Sequence, residues 1–473
     1  MFGVTLRING RELRAEGLDP HTTLLQLLRD RGLTGTKEGC AEGECGACAV
    51  VVVRRGDEGG RPARYEPVNS CLVLAAALEG QEVWTAEGLA DGERLHPVQT
   101  AMVERGGSQC GYCTPGFVVS LFAEYYREGR DGYDPEAISG NLCRCTGYRP
   151  IRDAARSLGA PEPGDRFLAR LDEPPPDVRG FSAEASASRR FHRPATLDEA
   201  LALLAAEPAA RVVAGGTDVV VGINQSHDRF ETIVALDAIE ELRFIERRND
   251  VLVLGAGVPL SRLEDELRGE LPMLDALFPL FSSRLIRNRA TLGGNLVNAS
   301  PIGDTPPALL ALDAEVVVAG PNGERTVPLD GFFTAYRKTA LAPGELVTAV
   351  RIPRPFPTIN RFYKVSKRVL DDISTVAAGF GITLDADGAT VTKARLAYGG
   401  VAATPARAHD AEDVLVGKPW SPETIGQAQA VLERTFSPIT DQRENERYRS
   451  AMVTRLLDKL WADTRPNGGG GAA

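Results

Sequence analysis

Along the chain the spacing of hydrophobic positions changes several times, and each change predicts an element. Positions 4–8 alternate apolar and polar residues, as a half-buried strand does. Asn9-Gly10 then gives a hairpin turn, and 11–14 forms the returning strand. Thr22 or Thr23 can cap a short helix carrying Leu24, Leu25, Leu27 and Leu28. The unbroken apolar run 49–53 reads as a buried strand. From 117 to 127 the apolar spacing is helical, with Thr114 placed as N-cap and Pro115 as the first helical residue. Asp134-Pro135 repeats that start signal and Arg149-Pro150 gives a weaker version, so 90–160 is expected to be a small helical bundle. Further on, 196–206 reads as a helix and 211–214 as a strand. Strands at 379–384 and 393–398 precede helices at 422–434 and 443–460, an order expected of a separate α+β module.

Composition narrows the class. A chain of 473 residues, 43% apolar and 25% charged, accommodates three or four globular domains. Its net charge of −10 argues against a nucleic-acid surface. Residues 1–10 hold no apolar leader core, and no run of roughly 18 apolar residues exists to span a membrane. A cytoplasmic protein is expected. Pro161, Pro163, the Pro174-Pro175-Pro176 run and a Ser/Ala stretch predict a stiff, extended connector over 159–188. The glycine run after Arg465-Pro466-Asn467 is expected to be disordered.

All eight cysteines lie within the first 145 residues, as Cys40-x4-Cys45-x2-Cys48, Cys71, Cys110-x2-Cys113 and Cys143-x-Cys145. Four thiolates hold one [2Fe–2S] cluster, and the first spacing is that of plant-type ferredoxins. A disulfide framework needs an oxidising compartment. Structural zinc fits Cys110-x2-Cys113 taken alone, but fits the x4 spacing and the Cys143-x-Cys145 pair less well. Two clusters are therefore expected, one on Cys40, Cys45, Cys48 and Cys71, the other on Cys110, Cys113, Cys143 and Cys145. Glycine or alanine fills most positions between the first three ligands, which lets backbone N–H groups turn toward a cluster. Hairpin, helix and strand around that loop make a β-grasp ferredoxin layout. The second cluster is expected between a helix N-terminus and the turn carrying Cys143 and Cys145, where the helix dipole favours an anionic group.

Two glycine motifs follow. A strand runs into Val213-Ala214-Gly215-Gly216-Thr217-Asp218-Val219, where paired glycines can expose backbone N–H groups to a phosphate. Alone this is a weak signal that reads more readily as a plain turn, since it is neither G-x-G-x-x-G nor a Walker A loop. The second, Thr291-Leu292-Gly293-Gly294-Asn295, continues to Ser300 and Asp304. Together two such loops could clasp a dinucleotide pyrophosphate.

Gln109-Cys110-Gly111-Tyr112-Cys113-Thr114-Pro115-Gly116 with Asn141-Leu142-Cys143-Arg144-Cys145-Thr146-Gly147-Tyr148 resembles the second-cluster signature of the molybdenum hydroxylases. The resemblance implies that Gln109 hydrogen-bonds the pterin of the molybdenum cofactor and that Cys145 lies on the electron path to it. Both glycine motifs resemble that family's FAD site, in a domain of the vanillyl-alcohol-oxidase (PCMH) type. Carried over, Val213, Ala214, Gly215, Gly216, Thr217, Asp218 and Val219 form the first pyrophosphate loop. Thr291, Gly294, Asn295, Ser300 and Asp304 form the second, with Asp304 on ribityl or ribose hydroxyls. Phe281 matches an aromatic near the isoalloxazine, Lys364 a cation near the flavin carbonyls, and Val347 a position often filled by Leu. Tyr336 and Asp372 match regions that shape a nicotinamide site. Core packing for Phe281 and Val347, a solvated strand residue for Lys364, an exposed polar residue for Gln109 and an acidic solvent loop for Asp372 stand beside these readings.

The expected organisation is a multidomain α+β protein. It comprises a plant-type ferredoxin domain (1–86), a helical [2Fe–2S] domain (87–160) and a linker (161–188). An FAD-binding domain (189–358), a C-terminal flavoprotein-like α+β domain (359–464) and a tail (465–473) follow. The resemblance implies electron flow from molybdenum through both clusters to FAD and then NAD⁺. Within the family, two clusters and FAD in one chain look most like the small subunit of bacterial xanthine dehydrogenases. The molybdenum cofactor would then lie on a large partner chain in an α2β2-type heteromer. The base for hydroxylation would belong to that partner, so no catalytic residue is assigned here. Alternatives are the equivalent subunit of an aldehyde- or N-heterocycle-oxidising relative, a stand-alone NADH reductase without molybdenum, and a redox sensor.

Overall fold

The computed structural model describes residues 2–57, 59–186 and 189–465. The expected disordered tail, apart from Arg465, lies outside the described residues. The chain divides into two compact units, residues 1–240 with 283–290, and residues 241–282 with 291–473.

The first unit begins with strands β1 (Gly3–Ile8), β2 (Arg11–Glu16), β3 (Ala49–Arg55), β4 (Ala63–Asn69) and β5 (Glu82–Trp84) in one sheet of order β2-β1-β5-β3-β4. Asn9 and Gly10 both take positive φ (52° and 78°), the backbone a two-residue hairpin turn requires. Helix α1 (Leu24–Asp30) starts at Thr23, whose side chain accepts from the Gln26 amide while Gln26 reaches back to the Thr23 amide. Its four leucines are buried.

Helices α2 (Pro97–Glu104), α3 (Thr114–Tyr125) and α4 (Arg149–Arg156) form the expected bundle. They share one core with the sheet: Val51, Val53 and Tyr65 pack with Phe117, Phe122 and Ile151. The start of α3 differs from expectation by one residue. Cys113 is the N-cap, because the Thr114 hydroxyl bonds Ser108 Oγ at 2.8 Å rather than a helix amide.

The proline-rich stretch carries more regular structure than an extended connector. Asp165 caps α5 (Arg166–Arg170) by accepting from the Phe167 and Leu168 amides, and Phe167 is buried in the shared core. Downstream, β6 (Phe181–Ser186) pairs antiparallel with β7 (Arg189–Arg193). With β8 (Arg211–Val213) and β9 (Thr232–Ala235) they form a sheet of order β6-β7-β9-β8, joined by helix α6 (Leu197–Ala206).

In the second unit, β10 (Ile245–Arg247), β11 (Val251–Gly255), β12 (Glu315–Gly320), β13 (Gly323–Pro328) and β16 (Leu346–Pro353) make a sheet of order β10-β11-β16-β12-β13. A small hairpin of β14 (Phe333–Ala335) and β15 (Lys338–Thr339) stands apart from it. The last module pairs β17 (Ile359–Val365), β18 (Val376–Leu384), β19 (Val391–Gly399) and β20 (Ala406–Arg407) in sequence order. Helices Pro422–Thr435 and Glu446–Thr464 cover that sheet through Ile425, Leu432, Val453 and Leu457, as the sequence order implies. Among the described residues no helix is long and apolar enough to cross a membrane.

Candidate functional site

The first cysteine loop is held open by positive-φ residues at Ala41, Gly43 and Gly46. Cys48 and Cys71 are buried with their sulfurs 3.3 Å apart, and Cys40 hydrogen-bonds Cys45. Charges on Cys40, Cys45 and Cys48 all act on Cys71, so the four thiols converge. The hydrogen bond from Cys45 pulls the Cys40 thiol down to about 5, while the same bond pushes Cys45 up. In the second pair the bond to Cys71 lowers Cys48, and Cys71 is raised in turn. Asn69 braces the loop by donating to the Gly43 carbonyl at 2.9 Å.

The second set repeats this pairing on helical scaffolding. Cys110 pairs with Cys145, and Cys113, at the start of α3, pairs with Cys143. The Tyr112 amide and the bond to Cys145 lower Cys110. Burial, then the bond to Cys143, pushes Cys113 up to about 12. Burial raises Cys143, but hydrogen bonds from Thr146 and the Cys145 amide outweigh it and leave the thiol lowered.

Within each set the thiols stand two by two, Cys40 with Cys45 and Cys48 with Cys71, Cys110 with Cys145 and Cys113 with Cys143. That arrangement suits a two-iron cluster held by four thiolates, two on each iron, better than one tetrahedral zinc.

The two ligand sets are bonded to each other. The Leu142 amide donates to the Cys45 carbonyl at 3.0 Å, and Asn141 Nδ2 donates to the Gly46 carbonyl at 3.2 Å. Glycine is required on both sides: a Cβ at Gly116 would overlap the Gly46 carbonyl, and one at Gly46 would overlap that of Gly140. Exposure differs sharply between the sets. Cys110, Cys145 and Gln109 are exposed, whereas Cys48 and Cys71 are buried.

The first glycine loop leaves β8 beside Cys71. Gly216 has φ +83°, and a Cβ there would come within 2.8 Å of the Leu72 carbonyl. Asn224 Nδ2 donates to the carbonyls of Ala41 and Cys71 at 2.9 and 2.8 Å, and Gln225 to that of Cys40 at 2.8 Å. Neither residue carries a sequence signal. The amides of Gly215, Gly216 and Thr217 have no acceptor among the described residues, which suits a phosphate cradle.

The second glycine motif is not a loop of free amides. Thr291 caps the short helix Leu292–Val297, and its hydroxyl accepts from the Gly294 amide at 3.1 Å. The amides of Leu292, Gly293 and Asn295 donate to Val258, Ala256 and Thr291 carbonyls. What this motif offers a ligand is therefore side chains: Asn295, whose Oδ1 accepts from Thr305, and Ser300 and Asp304.

Asp304 and Lys364 meet in a buried ion pair of 2.7 Å, with Lys364 also donating to the Leu280 carbonyl at 2.8 Å, next to Phe281. Ser374, absent from the sequence reading, donates to the other Asp304 oxygen. Lys364 is thus not a solvated strand residue. Val347 is buried in β16 opposite Val318. Tyr336 is 60% exposed at the β14–β15 turn. Asp372 accepts from the amides of Arg368 and Ile373 at 2.8 and 2.9 Å, shaping its own loop.

These sites define an iron–sulfur flavoprotein, and the comparisons narrow the class. Residues 6–76 match the family described as "2Fe-2S iron-sulfur cluster binding domain" and 85–156 "[2Fe-2S] binding domain". Residues 184–355 match "FAD binding domain in molybdopterin dehydrogenase" and 361–464 "CO dehydrogenase flavoprotein C-terminal domain". Xanthine dehydrogenase of Drosophila subobscura is 34% identical over 96% of this chain and 38% of its own length. That of Emericella nidulans is 32% identical over 91% of this chain and 36% of its own. The chain thus spans a little over a third of these relatives. A chain of reconstituted CO dehydrogenase from Oligotropha carboxidovorans aligns with TM-score 0.54 at 31% identity, covering 57% of this chain and 94% of that one. One of quinoline 2-oxidoreductase from Pseudomonas putida 86 gives TM-score 0.54 at 27% identity, covering 58% and 95%. The chain belongs to the molybdenum hydroxylase family, whose [2Fe–2S]-binding and FAD-binding domains it carries.

Proposed function

We propose that the chain is the electron-transfer subunit of a molybdenum-dependent xanthine dehydrogenase. It would take electrons from hypoxanthine or xanthine oxidation on a separate molybdenum-cofactor chain and pass them to NAD⁺. When bound, the clusters supply one-electron transfer and FAD exchanges one electron or two, as a hydride acceptor requires.

The observation that carries this reading is the asymmetry of the thiols. Cys110 and Cys145 lie exposed beside Gln109, where a partner's pterin would reach them, while Cys48 and Cys71 are buried. The Leu142–Cys45 hydrogen bond joins the two ligand sets, and the Gly216 backbone packs on Leu72 beside Cys71. Exposed thiols serve the entry side and buried ones the flavin side. A stand-alone reductase leaves the open face of the second site without a role.

The flavin assignments are carried as part of this proposal. The free amides at Gly215–Thr217 suit a phosphate, and the Asn295, Ser300 and Asp304 side chains suit hydroxyl and phosphate groups. Lys364, a cation next to Phe281, would stabilise reduced anionic flavin. Tyr336 and Asp372 are proposed at the nicotinamide side. A cytoplasmic α2β2-type heteromer and the domain limits of the sequence reading complete the proposal.

Purification of the native complex tests it. One molybdenum per four irons and one FAD, with xanthine turnover faster on NAD⁺ than on O₂, is expected. An active NADH reductase recovered as a lone chain without molybdenum would overturn it. The quinoline and CO dehydrogenase likenesses favour a second reading, the same subunit serving another substrate; turnover of an aldehyde or N-heterocycle but not xanthine would select it.

A further inference from the structure

Beside the second cluster site lies a cleft of about 460 Å³ lined by Arg29, Thr34, Lys37, Cys110, Gly111 and Tyr112. Two of its six walls are cations and none is an acid, in a chain with 64 acidic and 54 basic residues. Both cations are held in place by backbone carbonyls: Arg29 Nη1 donates to Thr36 at 3.0 Å and Lys37 Nζ to Thr34 at 2.7 Å. Each keeps further N–H donors. Among the described residues, neither cation has a carboxylate partner. Tyr112, 50% exposed, adds an apolar face to the same wall.

Solvated surface cations need no partner, but these differ in being pre-ordered around a concave wall that includes a cluster ligand. Fixing them beforehand lowers the ordering cost of docking. A mixed apolar and cationic rim fits a protein surface carrying acids rather than a small neutral molecule. We propose that this cleft is the anchor for an Asp or Glu side chain of the molybdenum-cofactor chain, and that Arg29 and Lys37 orient that partner on the exposed thiols. The inference rests on the reading that such a chain docks at the second cluster. A carboxylate between Arg29 and Lys37 would fix the Cys110–Tyr112 turn against the partner, where small shifts change the electron-transfer distance.

The test uses the full chain and its co-purifying molybdenum subunit, separated and recombined, with association followed by light scattering and stopped-flow at 20 and 300 mM salt. Arg29→Glu and Lys37→Glu should each slow association at low salt about tenfold or more and flatten its salt dependence. Arg434→Glu, a charge reversal on a helix of the second unit, should change it less than about twofold. EPR of both reduced clusters in the variants reports that the fold is kept. Lys37, whose side chain among the described residues bonds only the Thr34 carbonyl, keeps the test alive where Arg29→Glu unfolds. Association unchanged in Lys37→Glu would overturn the proposal, as would a change in the chain's own self-association showing that a second copy fills the cleft. If the wild-type chain binds no molybdenum subunit at all, the functional reading fails; if it binds and both variants bind equally, the cleft alone fails.

Discussion

The backbone of Leu142 is hydrogen-bonded to the backbone of Cys45 at 3.0 Å, so a residue adjoining one ligand set is tied directly to a ligand of the other. Neighbouring contacts reinforce this bond. Asn141, 2% exposed, donates to Gly46, and α3 presents Gly116 to the same carbonyl. The ferredoxin sheet and the helical bundle therefore form one redox body with a shared core. Their relative position is set by close backbone contact, which leaves little freedom for the distance between the clusters to vary.

Gly116→Ala tests that contact. Its backbone is helical, so alanine should favour α3 itself by roughly 1 kcal/mol. Yet the added methyl would overlap the Gly46 carbonyl and push the bundle away. Iron and FAD content should stay within about 20% of wild type, while magnetic interaction between the reduced clusters weakens in EPR. An unchanged interaction would show that the contact does not set their separation.

Cys113→Ala removes one thiol of the Cys113–Cys143 pair. One of two reduced-cluster EPR signals should vanish, and substrate oxidation on the molybdenum side should fall below about 1% of wild type. NADH–dye activity at the flavin should persist at half its rate or better. Equal loss of both activities would argue against the proposed order of centres.

The local features were legible in the sequence because short-range rules decide them. Alternation around Asn9-Gly10 gave the first hairpin, and Thr22 or Thr23 gave the cap of the first helix, which the structure sets at Thr23. Cysteine spacing gave the two sets of four thiols, but not the pairing of Cys110 with Cys145 and of Cys113 with Cys143 across the two motifs. What escaped depends on distant partners. Asn224 and Gln225 grip the first cluster loop across more than 150 residues of sequence, and nothing local marks them. Lys364 and Asp304 are 60 residues apart, and either alone reads as a surface charge. The second glycine motif takes a form the spacing does not announce. Thr291 caps a short helix through the Gly294 amide, and Gly293 packs closely on Ala256.

The Lys364–Asp304 pair yields a third prediction. Both side chains are under 10% exposed, so removing one strands the other's charge. Lys364→Met should destabilise the second unit by about 3–5 kcal/mol and lower flavin content at 450 nm. Combining it with Asp304→Leu should cost less than the sum of the single changes, by roughly 1–3 kcal/mol. Additivity within about 0.5 kcal/mol in thermal unfolding would mean the charges are independent. Full flavin retention in the double variant would remove both residues from the FAD site.

Acid sensitivity should trace to two buried imidazoles. His96 Nδ1 accepts from the Val98 amide at 3.2 Å, so Nε2 carries the proton and donates to Tyr126 Oη at 2.9 Å, which donates on to Asp165 at 2.8 Å. A second proton would break the cap. Burial lowers this histidine to about 4, against an upward pull from Asp165. His21 accepts from the Phe230 amide at 2.9 Å through Nε2 and is likewise lowered to about 4, by burial and then Arg229. Each folded value lies below the unfolded one near 6.5. The folded state therefore binds fewer protons, its full stability holds above about pH 6.5, and it is lost as pH falls toward 4. Denaturant titrations between pH 7 and 4 should show stability falling at up to about 1.4 kcal/mol per pH unit for each histidine. His96→Gln, which keeps an acceptor for the Val98 amide but cannot titrate, should be less stable at pH 7 by about 1–2 kcal/mol and shallower in slope by up to one proton. A variant as steep as wild type would place the acid sensitivity elsewhere.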